Sequence, residues 1–181
     1  MLPAYIGDDV VFGAVYASSL DLAATNAGVP ATFSGHKRTV LSAAATLTAA
    51  QSGALCTWPA AAGFTYTLPI ITAGNIGMFF EFLCTITNTS VACKVITGQA
   101  TDLIVGGVHV GVLDTTPAVG PGPKFFTFAT DKIACSMGGT DTTKGGVVGS
   151  RIRLEAVALL QWAITGNIIG AGTIATPAAT S

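Results

Sequence analysis

Two long stretches of this chain, residues 39–80 and 156–181, contain no charged side chain. Charged side chains make up only 9% of the 181 residues, whereas a typical soluble domain carries about 25%. Mean hydropathy is correspondingly high, at +0.64. A chain this poor in charge either lies in a membrane or has much of its exterior covered by other protein.

The membrane interpretation fails on both uncharged stretches. The first is rich in Thr, Ser and Gly and contains Pro59 and Pro69, which would leave polar groups unsatisfied in lipid. The second includes the apolar residues 157–170, but Gln161 and Asn167 interrupt them and no Lys or Arg follows. The N-terminus also lacks the charged and apolar regions of a secretory signal. We therefore expect no membrane partner and an exterior covered by protein.

Charge and length exclude two further classes. The formal net charge is -1, and no run of Lys and Arg provides the electrostatic footprint that nucleic acid requires. We expect no nucleic-acid partner. A chain of this length buries roughly 70% of its unfolded surface as one domain, so it is long enough for a real core and is not disordered.

The apolar residues are arranged as short strands. They are mostly Val, Ile, Phe and Ala, they alternate with Thr, and 22 Gly and 8 Pro interrupt them. Frequent turns between β-branched and aromatic runs are typical of an all-β protein. We predict an antiparallel β-sandwich, with a jelly-roll-like arrangement as one form of it.

One predicted hairpin spans residues 78–97. With a two-residue turn at residues 88–89, Cys84 lies opposite Cys93 on an apolar face. Glu81 and Lys94 then form a diagonal ion pair on the other face. If Cys84 and Cys93 are opposed in this way they can meet disulfide geometry, but the lack of a secretory signal favours reduced thiols.

Two more hairpins are predicted further along the chain. Gly106-Gly107 suits a type I′ turn between residues 103–105 and 108–110. Residues 151–156 alternate charged and apolar side chains as a half-buried strand, whose partner is 162–165 across a turn at Leu159-Leu160. The glycine-rich residues 138–149 are expected to form a surface loop.

Residues 1–38 differ from the remainder. They hold Asp8-Asp9, Asp21 and the small basic group His36-Lys37-Arg38. We predict that residues 1–38 form an extended N-terminal arm that needs a neighbouring subunit to cover it. Residues 39–181 are predicted to form the β-sandwich domain.

No metal or cofactor site emerges from the residue spacing. Four cysteines (Cys56, Cys84, Cys93 and Cys135) show no CxxC pairing, and only two histidines accompany them. Asp8 and Asp9 point opposite ways in an extended chain, which disfavours a metal-binding pair. His109 is interpreted as a strand residue rather than a general base. We expect no metal and no cofactor.

Catalytic motifs are also missing from the sequence. The serines lie in no Gly-x-Ser-x-Gly context and no phosphate loop occurs. A hydrolase on a β scaffold is a remote alternative for which no catalytic residue can be named, so we expect no enzyme. Asn88-Thr89-Ser90 matches a glycosylation sequon, which we interpret as coincidental.

Two groups of motifs resemble a known module. The first comprises Thr46-Leu47-Thr48-Ala49-Ala50-Gln51-Ser52-Gly53, Ala60-Ala61-Ala62-Gly63, Thr65-Tyr66-Thr67-Leu68-Pro69, Gly77 and Phe79-Phe80-Glu81-Phe82. The second comprises Gly145-Gly146, Gly149-Ser150-Arg151-Ile152-Arg153-Leu154-Glu155, Gln161-Trp162, Thr165-Gly166 and Gly172-Thr173-Ile174-Ala175-Thr176-Pro177. Over residues 46–177 this arrangement resembles tailed-bacteriophage capsid decoration (cement) proteins and related head-fibre and knob β modules.

The resemblance implies a structural virion protein. Such a protein sits on the outer capsid surface as a homotrimer, is assembled in the host cytoplasm, and cements neighbouring subunits of the major capsid protein. The alternative is a receptor- or glycan-binding knob of a phage tail or head fibre. The family usually has a polar turn before the Trp, whereas this chain has Ala158-Leu159-Leu160-Gln161. An apolar turn there predicts that another subunit covers it.

Overall fold

A computed structural model describes residues 38–113, 122–129 and 131–181 of the chain. Thr39–Ser181 forms one compact unit. The predicted arm, residues 1–38, lies outside the described residues except for Arg38. The acidic groups Asp8-Asp9 and Asp21 and the basic His36-Lys37 lie outside them as well.

The described residues form twelve strands in two sheets that pack against each other. The strands are β1 Val40–Leu41, β2 Ala45–Thr46, β3 Leu55–Trp58, β4 Thr65–Thr67, β5 Phe79–Cys84, β6 Cys93–Ile96, β7 Leu103–Val112, β8 Lys124–Phe128, β9 Ala134–Met137, β10 Arg151–Ala158, β11 Gln161–Gly170 and β12 Ala178–Ala179. Short 3-10 turns at Ala49–Gln51 and Ala73–Asn75 precede β3 and β5. The predicted all-β sandwich is confirmed.

Strand order shows how the chain winds. The larger sheet has the order β1-β3-β5-β10-β11-β7-β8, and the smaller has β12-β9-β6-β4-β2. From β1 to β7 the chain passes from one sheet to the other after every strand. Consecutive strands within each sheet therefore run in the same direction, as the parallel pairs β1/β3, β3/β5, β2/β4 and β4/β6 show.

The strand directions differ from the predicted antiparallel arrangement. The pair β11/β7 is also parallel, while β5/β10, β10/β11, β7/β8, β6/β9 and β9/β12 are antiparallel. Both sheets are thus mixed, which also differs from a jelly roll built of antiparallel Greek keys. Crossing to the other sheet after each strand returns the chain to the first sheet in its original direction, and this produces the four parallel pairs between β1 and β6.

The predicted hairpin at residues 78–97 is wrong. β5 belongs to the larger sheet and β6 to the smaller one, so the loop between them crosses the sandwich instead of turning back. Cys84 pairs in register with Trp58, and Cys93 with Met137. Glu81 consequently pairs with Arg151 and not with Lys94.

The predicted turn at Gly106-Gly107 is also wrong, because both glycines lie inside the continuous strand β7. Gly106 has a φ of +104°, and a β-carbon there would meet the backbone oxygen of Ile164 at 2.6 Å. The glycine therefore permits a close approach of β7 to β11 rather than a change of direction.

The C-terminal hairpin is where the sequence predicted the pairing correctly. β10 pairs with β11 from Arg151 opposite Asn167 to Ala158 opposite Gln161, across Leu159-Leu160. Residues 138–149 form no strand and connect β9 to β10, as expected for a loop.

Aromatic side chains fill the space between the sheets. Trp58, Tyr66 and Phe82 are fully buried, with ring centroids 5.5 to 5.8 Å apart. The Trp58 indole donates to the backbone oxygen of Phe64 at 2.8 Å. Burial of a single such ring contributes about 1.5–3 kcal/mol, so this cluster fixes the two sheets against each other.

Candidate functional site

The outer face of the larger sheet carries charged and polar side chains on adjacent strands. We define the outer face as the side chains of β5, β10, β11, β7 and β8 that point away from the smaller sheet. Strand register aligns one row of them across all five strands. This row is Leu83, Arg151, Asn167, His109 and Phe125.

A second row runs beside the first on three strands. It consists of Glu81, Arg153 and Thr165, which are consecutive partners on β5, β10 and β11. The second row, with Arg151 and Asn167 of the first, lines a shallow depression of about 360 Å³. Its side chains are those of Glu81, Arg151, Arg153, Thr165 and Asn167.

Charges on this face are paired with one another. The Glu81 carboxylate accepts from Arg151, and the Glu155 carboxylate accepts from Arg153 at 2.8 Å. The Arg153 guanidinium also lies 3.9 Å from the centroid of the Phe79 ring, in a cation–π contact. Two acidic and two basic groups thus balance in charge, and the solvent-exposed Arg153–Glu155 pair contributes at most about 1 kcal/mol to stability.

An exposed aromatic ring lies on the same face, two strands away from Asn167 of the depression. Phe125 on β8 is 55% exposed, and its ring centroid lies 4.9 Å from that of His109. A β-carbon added to Gly107 would come within 2.4 Å of the Phe125 ring. The phenyl ring therefore lies over Gly107, against the sheet, because that position carries no side chain.

Exposed apolar side chains gather at both ends of the sandwich. At the hairpin end, Ile76, Val157, Leu159 and Leu160 are each 45 to 56% exposed. This end is defined by the β10–β11 turn and by the start of β5, where the Gly77 amide donates to the oxygen of Ala156 at 2.7 Å. Leu159-Leu160 lies there, at the turn that the sequence predicted to be covered.

The opposite end, which we call the loop end, carries a second apolar group. Ile86, Val91 and Val148 are each 46 to 55% exposed. The Val148 amide donates to the Thr87 hydroxyl at 3.1 Å, which joins the β5–β6 and β9–β10 loops. Large hydrophobic side chains are thus exposed at both ends of the larger sheet.

The four cysteines lie in the core, away from any of these surfaces. Cys56, Cys84, Cys93 and Cys135 are buried free thiols. Burial raises the pKa of Cys135 to about 12. The pKa of Cys84 is raised above that of Cys135, mainly by a hydrogen bond to Cys93 and secondarily by burial. Because the thiolate is the reactive form, Cys84 and Cys135 are poor nucleophiles.

His109 and Asn88, which the sequence analysis also considered, make packing or hydrogen-bond contacts within the fold. His109 is a strand residue whose ring packs on Phe125. Asn88 of the sequon is fully buried, and its amide donates to the backbone oxygen of Ala61 at 2.9 Å. In residues 38–113, 122–129 and 131–181, no three His, Cys, Asp or Glu side chains lie close enough to hold a metal ion.

Sequence reasoning missed the Phe125 and Gly107 contact and the Glu81 and Arg151 pair. Each depends on which strands are neighbours, and the alternation of side chains in a single strand does not reveal this. The only available signal was the glycine pair in a Val-rich strand, which fits a close approach as well as it fits a turn.

Comparison of the chain with protein-family models, curated proteins and solved structures gives no match. Among the described residues, no helix has the length and apolar character needed to cross a membrane.

Proposed function

We propose that this protein is a structural component of a bacteriophage virion, which decorates the outer capsid surface and cements neighbouring subunits of the major capsid protein. The observation that carries the proposal is the exposure of large apolar side chains at both ends of the sandwich. Leu159 at the hairpin end and Val91 at the loop end are each more than half exposed. Apolar surface of this kind marks contact with other protein.

Two separated contact surfaces suit a cementing role. A subunit that touches one neighbour at its hairpin end and another at its loop end bridges them. The bridging subunit binds the assembled shell and not the separate capsid subunits, so it stabilises the shell by linkage. The low charge of the exterior fits a protein whose surroundings are other subunits.

We further propose that the protein assembles as a homotrimer, with the major capsid protein as its second partner and neither nucleic acid nor membrane as a third. The predicted arm, residues 1–38, is the candidate for contact with the capsid or an adjacent trimer. Light scattering tests the trimeric state directly, since the trimer has a mass about three times that of the 18.1 kDa chain.

Electron microscopy and heating of phage particles test the cementing role. Particles assembled without the protein should lack density on the outer surface and release DNA at lower temperature. Adding the purified protein should restore both properties, whereas the Leu159→Asp variant should restore neither. The matched control is Thr127→Asp, a charge placed at an exposed position on the outer face. Equal heat stability with and without the protein, and no missing density, would contradict the proposal.

A receptor- or glycan-binding knob is the second candidate, and Phe125 favours it. An exposed phenyl ring on the same face as a depression lined by charged and polar side chains has the composition of a ligand-binding surface. Binding of the purified protein to host cells tests this function separately from capsid stability.

A further inference from the structure

The Phe125 ring is positioned by the sheet beneath it. β8 pairs with β7 so that Thr127 lies opposite Gly107 and Phe125 lies opposite His109. Because Gly107 has no side chain, the phenyl ring covers it and rests against the His109 imidazole. The ring thereby contacts the sheet through its edge atoms at Gly107 and the tilted His109 imidazole, and 55% of the residue stays exposed.

Leaving this ring exposed has an energetic cost, because a phenylalanine side chain stabilises a protein more when it is buried than when its apolar surface meets water. Flat apolar rings of this type form stacking platforms for ligands that have one apolar face and a polar rim.

The depression on the same face supplies both hydrogen-bond donors and hydrogen-bond acceptors. Neither the Asn167 amide nor the Thr165 hydroxyl makes a side-chain hydrogen bond to the described residues, and both line the depression. The amide can donate and accept, and so can the hydroxyl. Arg151, with its side chain 56% exposed, adds further N–H donors.

Charge balance narrows the chemical class of the ligand. Arg151 is paired with Glu81, which lines the depression, and Arg153 with Glu155, which lies outside it. Each guanidinium is thus neutralised by a carboxylate, which weakens its attraction for a phosphate, a sulfate or a nucleic acid. The depression offers both hydrogen-bond donors and acceptors. These groups complement ligand hydroxyl groups, which also donate and accept hydrogen bonds.

The distance between the Phe125 ring and the depression fits a short chain of sugar rings. Asn167, His109 and Phe125 lie on the adjacent strands β11, β7 and β8. With strands about 4.8 Å apart, Phe125 lies roughly 10 Å from Asn167. A ligand that stacks on the ring and reaches the depression must therefore be longer than a single sugar.

We propose that the outer face binds a neutral oligosaccharide. One sugar ring stacks on Phe125, and hydroxyl groups of the next sugars bond to Asn167, Thr165 and Arg151. Gly107 is a positioning residue, because a side chain at that position would collide with the phenyl ring. This inference rests on the second candidate function and does not depend on the cementing role.

An array of neutral oligosaccharides built from glucose, galactose, mannose and N-acetylglucosamine, with sialylated and sulfated counterparts, tests the proposal. Hits are then titrated by NMR. We expect at least one neutral compound to bind, with saturation transfer strongest on the protons of one ring face. Binding only of the charged counterparts would overturn the proposal, and so would no binding on the array.

Variants locate the site. Phe125→Ala should weaken binding by about tenfold, as expected when one aromatic contact is lost, whereas Phe125→Trp should retain it. Gly107→Val should weaken binding without removing any polar group. The control is Val157→Ala, since Val157 is a similarly exposed apolar side chain of β10 at the hairpin end. Equal binding by wild type and the Phe125→Ala and Gly107→Val variants would overturn the assignment.

The outcomes separate this inference from the function on which it rests. If the protein binds host cells and Phe125→Ala leaves that binding intact, the knob function stands and the saccharide site is wrong. If the protein does not bind cells but binds the neutral compounds through Phe125, the knob function fails and the site stands. If Phe125→Ala instead dissociates an oligomer in light scattering, the face is a subunit interface and the saccharide site is wrong.

Discussion

The side-chain oxygen of Asn88 accepts a hydrogen bond from the backbone amide of Gly139 at 2.7 Å, across 51 residues of sequence. The Asn88 amide nitrogen donates to the oxygens of Ala61 and Val91, and its backbone amide donates to the oxygen of Gly146 at 2.8 Å. One fully buried side chain thus connects three loops at the loop end.

Replacing Asn88 by alanine should therefore destabilise the protein by about 2–4 kcal/mol, because it leaves several buried backbone groups without partners. Urea unfolding measures the change. Ser90→Ala, an exposed neighbour that makes a single hydrogen bond to Ala61, should cost less than about 0.5 kcal/mol. Equal losses for the two variants would contradict this account. Burial also predicts that Asn88 stays unglycosylated in the folded protein.

Stability should fall in alkaline solution. Burial, the larger cause, and nearby Cys56 raise the pKa of the Tyr66 phenol above its ordinary value of about 10, and the pKa of Cys135 is also raised. The unfolded chain loses these protons first, above about pH 9 for the thiol and about pH 10 for the phenol, while the folded protein keeps them. The free energy of unfolding therefore decreases with rising pH, by at most about 1.4 kcal/mol per pH unit for each group.

Urea unfolding between about pH 7 and about pH 11 tests this behaviour. Tyr66→Phe should be less stable at neutral pH, because the phenol lies 2.9 Å from the oxygen of Leu41 and 3.0 Å from that of Thr57. Its stability should nevertheless decline less steeply above about pH 10 than that of the wild type. Parallel curves for the two proteins would show that Tyr66 does not cause the alkaline loss.

Leu160 has a φ of +62°, and it is the one residue other than glycine with a positive φ among those described. A left-handed backbone costs about 1–2 kcal/mol for such a residue, and asparagine tolerates it better. Leu160→Asn should stabilise the isolated protein by about 0.5–1 kcal/mol, measured as a rise in Tm.

The same substitution should weaken binding to phage particles if the hairpin end is a capsid contact. Leu159→Asn is the matched control, because it removes an adjacent exposed leucine whose φ is not positive. That variant should weaken particle binding without raising Tm. A Leu160→Asn protein that binds particles as tightly as wild type would remove the hairpin end from the proposed contact.

All 4 cysteines should resist alkylation in the folded protein. Each is buried, and thiol reagents require an accessible thiolate. Mass spectrometry after brief treatment with iodoacetamide should find no modified cysteine under native conditions and full modification in denaturant. Rapid native labelling of Cys84 or Cys93 would show that the sandwich opens between β5 and β6.

The sequence predicted which residues face the core better than which strands are neighbours. Alternation in β5 identified Phe80, Phe82 and Cys84 as apolar-face residues, and all three are fully buried. Alternation gives the same pattern whether the next strand lies beside β5 or across the core. Cys84 and Cys93 were accordingly predicted to meet across a hairpin, and they meet instead across the interior, from opposite sheets.

Strand pairing was predictable where a short turn in the sequence joins the two strands. The turn at Leu159-Leu160 leaves only two residues between β10 and β11, so the chain must bring these two strands together as neighbours. Phe125 and Gly107 are 18 positions apart in sequence, and their contact needs the β7/β8 register. A local sequence pattern does not predict the register between two strands. The candidate site could therefore be identified only in the structure.

The position of the β10–β11 hairpin has a consequence for synthesis on the ribosome. These strands occupy the centre of the larger sheet, between β5 and β7, although they follow almost all other strands in the chain. Until they leave the exit tunnel, β5 and β7 each have an unpaired edge. We expect the nascent chain to remain open to proteases and chaperones until residue 170 has emerged, and then to close in one cooperative step.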